Sequence, residues 1–191
     1  MKWILILTLI INCSVDIYQI PVVRKSTNPI FKIDKSLYIG KFDIYLADRK
    51  YYTDAWKASF QSVLKSQRIF KNVLNLPVKK EELEEKYYIL DLDIYPSFKD
   101  NYNWWVTWPA IYPMLGYWPF QLREGVYKVE IVFSIYDENQ KLILKDSILV
   151  KDEAEILFYG FYKSTEIEDM IEEVNLKGME KCAQKIKDII I

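Results

Sequence analysis

The sequence predicts an α+β fold, a mainly antiparallel sheet with helices packed on one face and a Trp/Pro-rich loop between strands. Three patterns predict it. Apolar residues alternate at period two over 37–46, 87–95 and 128–150, as strands with one buried face require. Apolar residues also recur at helical spacing over 56–64 and 165–190, which marks helices with one face committed to a core. Between the second and third strand regions, Trp104, Trp105, Trp108, Tyr112, Tyr117, Trp118 and Phe120 crowd around Pro109, Pro113 and Pro119. Proline fixes φ and has no N–H to donate, so that stretch reads as irregular loop.

In chain order, the first strand carries Leu37 and Ile39, then Phe42, Ile44 and Leu46, with Gly40 interrupting the phase. Thr53 and Asp54 precede Trp56, Phe60, Val63 and Leu64 at i, i+4, i+7 and i+8, a capped helix that should lie on the sheet. Residues 69–78 return to strand composition, and 79–86 is a charge run read as a solvated turn or short helix. Over 87–95, Tyr88, Leu90, Leu92 and Ile94 alternate with a second set that includes Asp91 and Asp93. Those two carboxylates are close enough to be imagined as a catalytic pair. The favoured reading is two solvent-facing strand residues, since no histidine or third ligand is near them in sequence.

A polar turn is expected at 99–101, ahead of the aromatic loop, in which Gly116 allows a sharp bend. Val129, Ile131, Phe133 and Ile135 then form a strand that turns back through 137–140 into 142–150. Residues 155–162 read as a strand or a helix start. Thr165 and the acidic first turn of Glu166, Glu168 and Asp169 complement a helix N-terminus. Met170, Ile171, Val174, Met179, Ala183, Ile186 and Ile190 supply the apolar stripe of that helix, with a break expected near Gly178.

The amino terminus carries different information. Met1 and Lys2 lead into an apolar run over 3–11, which ends at Asn12 and Cys13, with Asp16 close behind. A basic start followed by about 7–15 apolar residues is a secretory signal, whereas crossing a bilayer takes roughly 20. Leu9-Ile10-Ile11-Asn12-Cys13 resembles a relaxed lipobox of bacterial lipoproteins. That resemblance implies cleavage before Cys13 and acyl chains, such as palmitate, on its thiol and new amino group; two or more chains anchor stably where one is marginal. Plain signal cleavage competes with this reading, but no small-residue site lies between Ile11 and Pro21. An uncleaved anchor competes too, but its apolar stretch is short for a bilayer. The expected organisation is a signal peptide over 1–12, a lipidated N-terminus and tether over 13–36, partly docked, and one α+β domain over 37–191. Ser14 and Val15 follow the cysteine with no acidic residue directly after it, which favours the outer membrane over the inner one.

Composition narrows the chemistry. The 191-residue chain has no histidine and two cysteines, so imidazole-activated nucleophiles and imidazole metal sites are excluded, and with Cys13 acylated no intrachain disulfide can form. Cys182 reads as a small buried apolar residue, flanked at helical spacings by Met179, Ala183 and Ile186. Lys and Arg number 26 against 27 Asp and Glu, with no basic block to hold nucleic acid. No catalytic residue, metal ligand or cofactor is expected. Trp and Tyr present an apolar body and a polar tip, so the aromatic loop has three readings: closure of a local core, an interface with a protein or membrane, or a stacking surface for a glycan. Trp104, Trp105, Trp108, Tyr112, Tyr117 and Trp118 are the candidate binding residues.

Residues 54–73, ending Ser66-Gln67-Arg68-Ile69-Phe70-Lys71-Asn72-Val73, and the strand over 87–94 followed by a hairpin, resemble small envelope lipoproteins related to the TolB amino-terminal domain and to ABC-transport auxiliary lipoproteins. The resemblance implies an accessory or assembly protein of the cell envelope that binds a protein partner and performs no chemistry. The Trp/Pro segment departs from that pattern. A carbohydrate- or lipid-binding module built on the aromatic loop is the alternative.

Overall fold

The computed structural model describes residues 19–21, 33–46, 49–51, 54–76, 83, 86–102, 121–158 and 165–190. Cys13 and the aromatic residues Trp104, Trp105, Trp108, Tyr112, Tyr117 and Trp118 lie outside the described residues.

Strands β1 (Ser36–Leu46), β2 (Arg49–Tyr51), β3 (Val73–Asn75), β4 (Tyr87–Tyr102), β5 (Gln121–Tyr136) and β6 (Leu142–Phe158) make one sheet, accompanied by helices α1 (Asp54–Gln67) and α2 (Thr165–Ile190). The sheet order is β2-β1-β4-β5-β6, with β3 also paired to β1. The sheet is mixed: β4, β5 and β6 form an antiparallel meander, while β1 runs parallel to β4 and β3. A parallel neighbour requires a crossover, and the chain between β1 and β4 supplies it with α1.

Alternation decides which face is dry. Leu90, Leu92 and Ile94 of β4 meet Tyr127, Val129, Ile131, Phe133 and Ile135 of β5, and all are buried. Trp56, Phe60, Val63 and Leu64 of α1 join the same core cluster, as do Ile171, Val174, Met179, Cys182, Ala183 and Ile186 of α2. Gly40 belongs to a bulge. Register passes from Ile39↔Leu90 to Phe42↔Leu92, so one extra residue in β1 switches its inward positions from odd to even. A Cβ on Gly40 would stand 2.5 Å from Asp91 Oδ1, a position the carboxylate holds by accepting the Lys41 backbone N–H at 2.8 Å.

Several elements run further than sequence patterning predicts. β4 does not stop at Tyr95 or turn over 99–101; it continues to Tyr102 against β5, pairing through Tyr102↔Arg123. Pro96 is tolerated because the last β1–β4 pair is Ile44↔Ile94, beyond which β5 is the one described strand that pairs with β4. β6 likewise reaches Phe158, which settles the strand alternative for 155–158. Of the 69–78 stretch, residues 69–76 are described, and among these Val73–Asn75 forms a strand, with Phe70 adding an isolated bridge to Ile33. α1 ends at Arg68, whose φ of 47° leaves the helical region and stops propagation. No break occurs at Gly178. Instead α2 passes so close to the sheet there that a Cβ would lie 3.1 Å from Val129 Cγ1 and 3.3 Å from Ile131 Cδ1. The glycine permits close packing of an unbroken helix.

The described residues of the tether region touch the domain near both of their ends. Ser59 Oγ on α1 donates to the Pro21 carbonyl at 3.2 Å, and Asn175 Nδ2 on α2 donates to the Gln19 carbonyl at 3.1 Å. Further along, Ile33 N–H donates to the Ile69 carbonyl at 3.0 Å.

Candidate functional site: the open face of the sheet

The face of the sheet away from the helices collects polar and aromatic side chains because every second residue of each strand must point there. After its bulge, β1 sends Asp43 and Tyr45 to this face. β4 adds Asp91, Asp93, Tyr95 and Ser97, β5 adds Lys128 and Glu130, and β6 adds Leu149. Register aligns them: Asp43 opposes Asp93, Tyr95 opposes Glu130, Ser97 opposes Lys128, and Glu130 opposes Leu149.

Two carboxylates facing each other across a parallel pair need a cation. Lys41 Nζ supplies it, at 2.7 Å from Asp93 Oδ1 and 3.3 Å from Asp43 Oδ2. Tyr45 Oη donates to Asp43 Oδ2 at 3.3 Å. Asp43 is 3% exposed, so its charge is the one that most requires these partners. The hydrogen bond to Asp93 holds the Lys41 ammonium well above the ordinary lysine range; partial burial opposes this and Asp43 reinforces it. A lysine so held is a fixed cation and no proton acceptor near neutrality. The suspected Asp91–Asp93 pair is thus occupied, Asp91 with the Lys41 backbone and Asp93 with its side chain. Among the described residues no group of three or more Cys, Asp or Glu is arranged to hold a metal ion.

Beside this charge cluster, the rings of Tyr45 and Tyr95 stack at 5.1 Å with planes 13° apart. They form one wall of a shallow depression of about 340 Å³ that continues over Pro96, Ser97, Lys128, Glu130 and Leu149. Tyr95 is 41% and Leu149 62% exposed. An apolar wall with a polar, oppositely charged rim can cradle a flat or apolar surface and orient it by hydrogen bonds. It offers no activated nucleophile. A second recess, about 360 Å³, lies where α1 hands over to β3 and is lined by Lys65, Arg68, Phe70, Lys71, Asn72, Val73 and Leu74.

A buried polar relay runs through the opposite layer. Tyr127 Oη on β5 donates to Asn175 Oδ1 on α2 at 2.8 Å, and the amide of Asn175 holds Gln19. Burial pushes the Tyr127 phenol well above the usual tyrosine range, against the opposing pull of its bond to Asn175. Burial also pushes the Cys182 thiol up, and at 0% exposure it is inert packing, as its helical neighbours predicted.

Sequence patterning singled out Asp91 and Asp93 but missed Lys41, Asp43, Tyr45 and Tyr95, which only strand pairing brings together. The relay through Asn175 left one trace, a polar residue inside the apolar stripe of the terminal helix. Tyr102 and Arg123 are paired, so the described strands on either side of the aromatic segment are neighbours in the sheet.

No curated protein matches the chain in sequence. Among solved structures, it is similar to a neuraminyllactose-binding hemagglutinin homologue from Helicobacter pylori at 12% identity, covering 86% of this chain and 90% of that one, with a TM-score of 0.48. It is similar to a minor lipoprotein from Acinetobacter baumannii at 11% identity, 82% and 90% coverage and a TM-score of 0.37. Rare lipoprotein B from Shewanella oneidensis matches at 15% identity, 81% and 95% coverage and a TM-score of 0.36. A protein-family model matches residues 4–187, nearly the whole length, and the chain belongs to that uncharacterised family.

Proposed function

We propose that the chain is a non-catalytic lipoprotein of the bacterial envelope, anchored through Cys13 and acting as an accessory or assembly protein for another envelope component. The observation that carries this reading is the lone basic residue, short apolar run and cysteine over 2–13. Residues 1–12 are the signal peptide, 13–36 the lipidated N-terminus and tether, and 37–191 the binding domain, in an outer-membrane setting by preference. The absence of histidine and the neutralised Lys41–Asp43–Asp93 cluster support binding over chemistry.

The docked residues define the reach of the anchor. Gln19 stands six residue steps after Cys13, and an extended chain covers at most about 3.3–3.6 Å per residue. The anchor therefore keeps Gln19, and with it the Asn175 turn of α2, within about 20–22 Å of the membrane surface. The segment with Trp104, Trp105, Trp108, Tyr112, Tyr117 and Trp118 is the proposed partner-binding element, in line with the loose resemblance to TolB-like and transport-auxiliary lipoproteins.

Metabolic labelling with a palmitate analogue tests the anchor: Cys13→Ser abolishes label and membrane retention. Undiminished label in that variant would remove Cys13 as the attachment site. The carbohydrate- or lipid-binding reading rests on the density of tryptophan over 104–118. Titrating tryptophan fluorescence with glycans and liposomes separates the two, because a saturable glycan response contradicts a protein-only partner.

A further inference from the structure

β6 spans 17 residues and is the last strand of the sheet; it pairs with β5 on one side, and no described strand pairs with the other. The opposite flank differs, since β2 and β3, of three residues each, divide the free edge of β1 between them. A long strand edge with no strand beside it is a template for another strand; along it the Ser147 and Glu153 N–H groups donate to Asp146 Oδ1 and Asp152 Oδ1 at 2.7 and 2.9 Å, caps that an incoming strand must displace. β6 also carries Leu149, the most exposed large apolar residue of the described core strands, at 62%.

The sequence of β6 indicates what would pair with it. Two copies related by a two-fold axis normal to the sheet meet with like faces on the same side. An antiparallel register centred on Leu149 then places Leu149 against its own copy, Ser147 against Lys151 and Lys145 against Glu153 on the open face. On the helix face it places Ile148 against Val150 and Leu144 against Ala154. Asp146 falls opposite Asp152, but each already holds a lysine of α2: Lys185 stands 2.5 Å from Asp146 and Lys177 3.8 Å from Asp152. Registers one step away lose this match. Centring on Ile148 sets Lys145 against Lys151, and centring on Val150 sets Leu149 against Lys151, and like charges or a charge against a leucine weaken a cross-strand pair.

We propose that the chain forms a homodimer by antiparallel pairing of β6 with β6 about Leu149, joining two sheets into one. The two-fold axis normal to the sheet leaves both helix layers, and both docked Gln19–Pro21 segments, on the same side. Both Cys13 anchors can then enter one membrane plane; only this last consequence rests on the lipid-anchor reading.

Disulfide trapping in membranes from cells making the full chain tests the register, with the wild-type chain, which keeps Cys13 and Cys182, as the blank. Leu149→Cys is expected to give a covalent dimer on mild oxidation, since directly opposed residues stand about 4.5–5.5 Å apart; Lys151→Cys, opposite Ser147, is expected to give none above the blank. Lys145→Glu should lower the Leu149→Cys dimer yield about tenfold, because two like-charge pairs appear by symmetry, and adding Glu153→Lys should restore it. No Leu149→Cys dimer, equal trapping at Lys151, or failure of the charge reversal to restore the yield would each overturn the proposal. Cys13→Ser carried in parallel separates this from anchoring: loss of membrane retention with trapping intact in the soluble chain leaves the dimer standing and removes only the shared-membrane consequence.

Discussion

The two faces of the central strands are built from adjacent residues of the same chain, yet they follow different physics. On β5, Phe133 is 1% exposed in a dry interface with the helices, while Val132 next to it faces the open side among Asp93 and Ser147. One face is held by close packing, in which every methylene matters. The other is held by directed charges and stacked rings; Tyr38 and Asp43 are buried there too, at 0% and 3%, while Tyr95 and Leu149 are exposed and open to a ligand. This division teaches where the molecule can afford change: the helix-covered face fixes the fold, and the exposed part of the other face, around Tyr95 and Leu149, is free to be specialised.

The sharpest way to break the comparison is to cut both faces at one point of β5. Phe133→Ala should cost about 3–5 kcal/mol through lost burial and a residual cavity, lowering the urea midpoint with an unchanged denaturant slope. Val132→Ala, one residue away, should cost about 1 kcal/mol or less. Equal losses at the two positions would show that the open face is packed as tightly as the other.

Within the dry face, the Tyr127–Asn175–Gln19 relay is a polar exception. Tyr127→Phe leaves the buried Asn175 oxygen without its donor, at an expected cost of about 1–3 kcal/mol. The pH dependence has a definite sign. Burial raises the folded-state pKa of Tyr127 above that of the unfolded chain, so the folded state keeps a proton that the unfolded state releases. Stability is therefore unaffected below about pH 10 and falls above it, at up to about 1.4 kcal/mol per pH unit. Cys182, raised in the same way, begins its own loss above about pH 9. Chemical denaturation between pH 10 and 12 should show a shallower decline in Tyr127→Phe than in the wild-type chain.

The same division explains what could be read from the sequence. Alternation and helical spacing are one-dimensional signals of burial, so the long strands, both helices and most of the inward set from Leu37 to Ile186 were legible, and the phase break at Gly40 marked a real bulge, whereas the three-residue β2 left no pattern. Strand ends were not, because β4 beyond Tyr95 is maintained by pairing with β5 and its own sequence there is polar and carries Pro96. Gly178 was misread as a helix break because composition cannot show that the sheet lies 3.1 Å from where its Cβ would be. On the open face only Asp91 and Asp93 stood out. Lys41 and Asp43 join them through contacts about fifty residues apart in sequence, a separation no local pattern encodes.

Below the relay in expected effect comes the open-face charge cluster. Lys41→Met removes the cation between Asp43 and Asp93. The Lys41 side chain is 45% exposed, so solvent screens the loss of its pair with Asp93, worth about 0.2–1 kcal/mol. Asp43 is less forgiving, because its side chain is 5% exposed and keeps its charge with fewer partners. The net cost should be about 1 kcal/mol, below that of Tyr127→Phe, and most of it should return in Lys41→Met combined with Asp43→Asn, where the buried charge that lost its cation is gone. A double-mutant cycle of unfolding free energies measures this coupling. If Lys41→Met instead costs as much as Phe133→Ala, the open face is part of what fixes the fold, and the depression beside Tyr45 and Tyr95 is no longer a surface the protein can adapt without penalty.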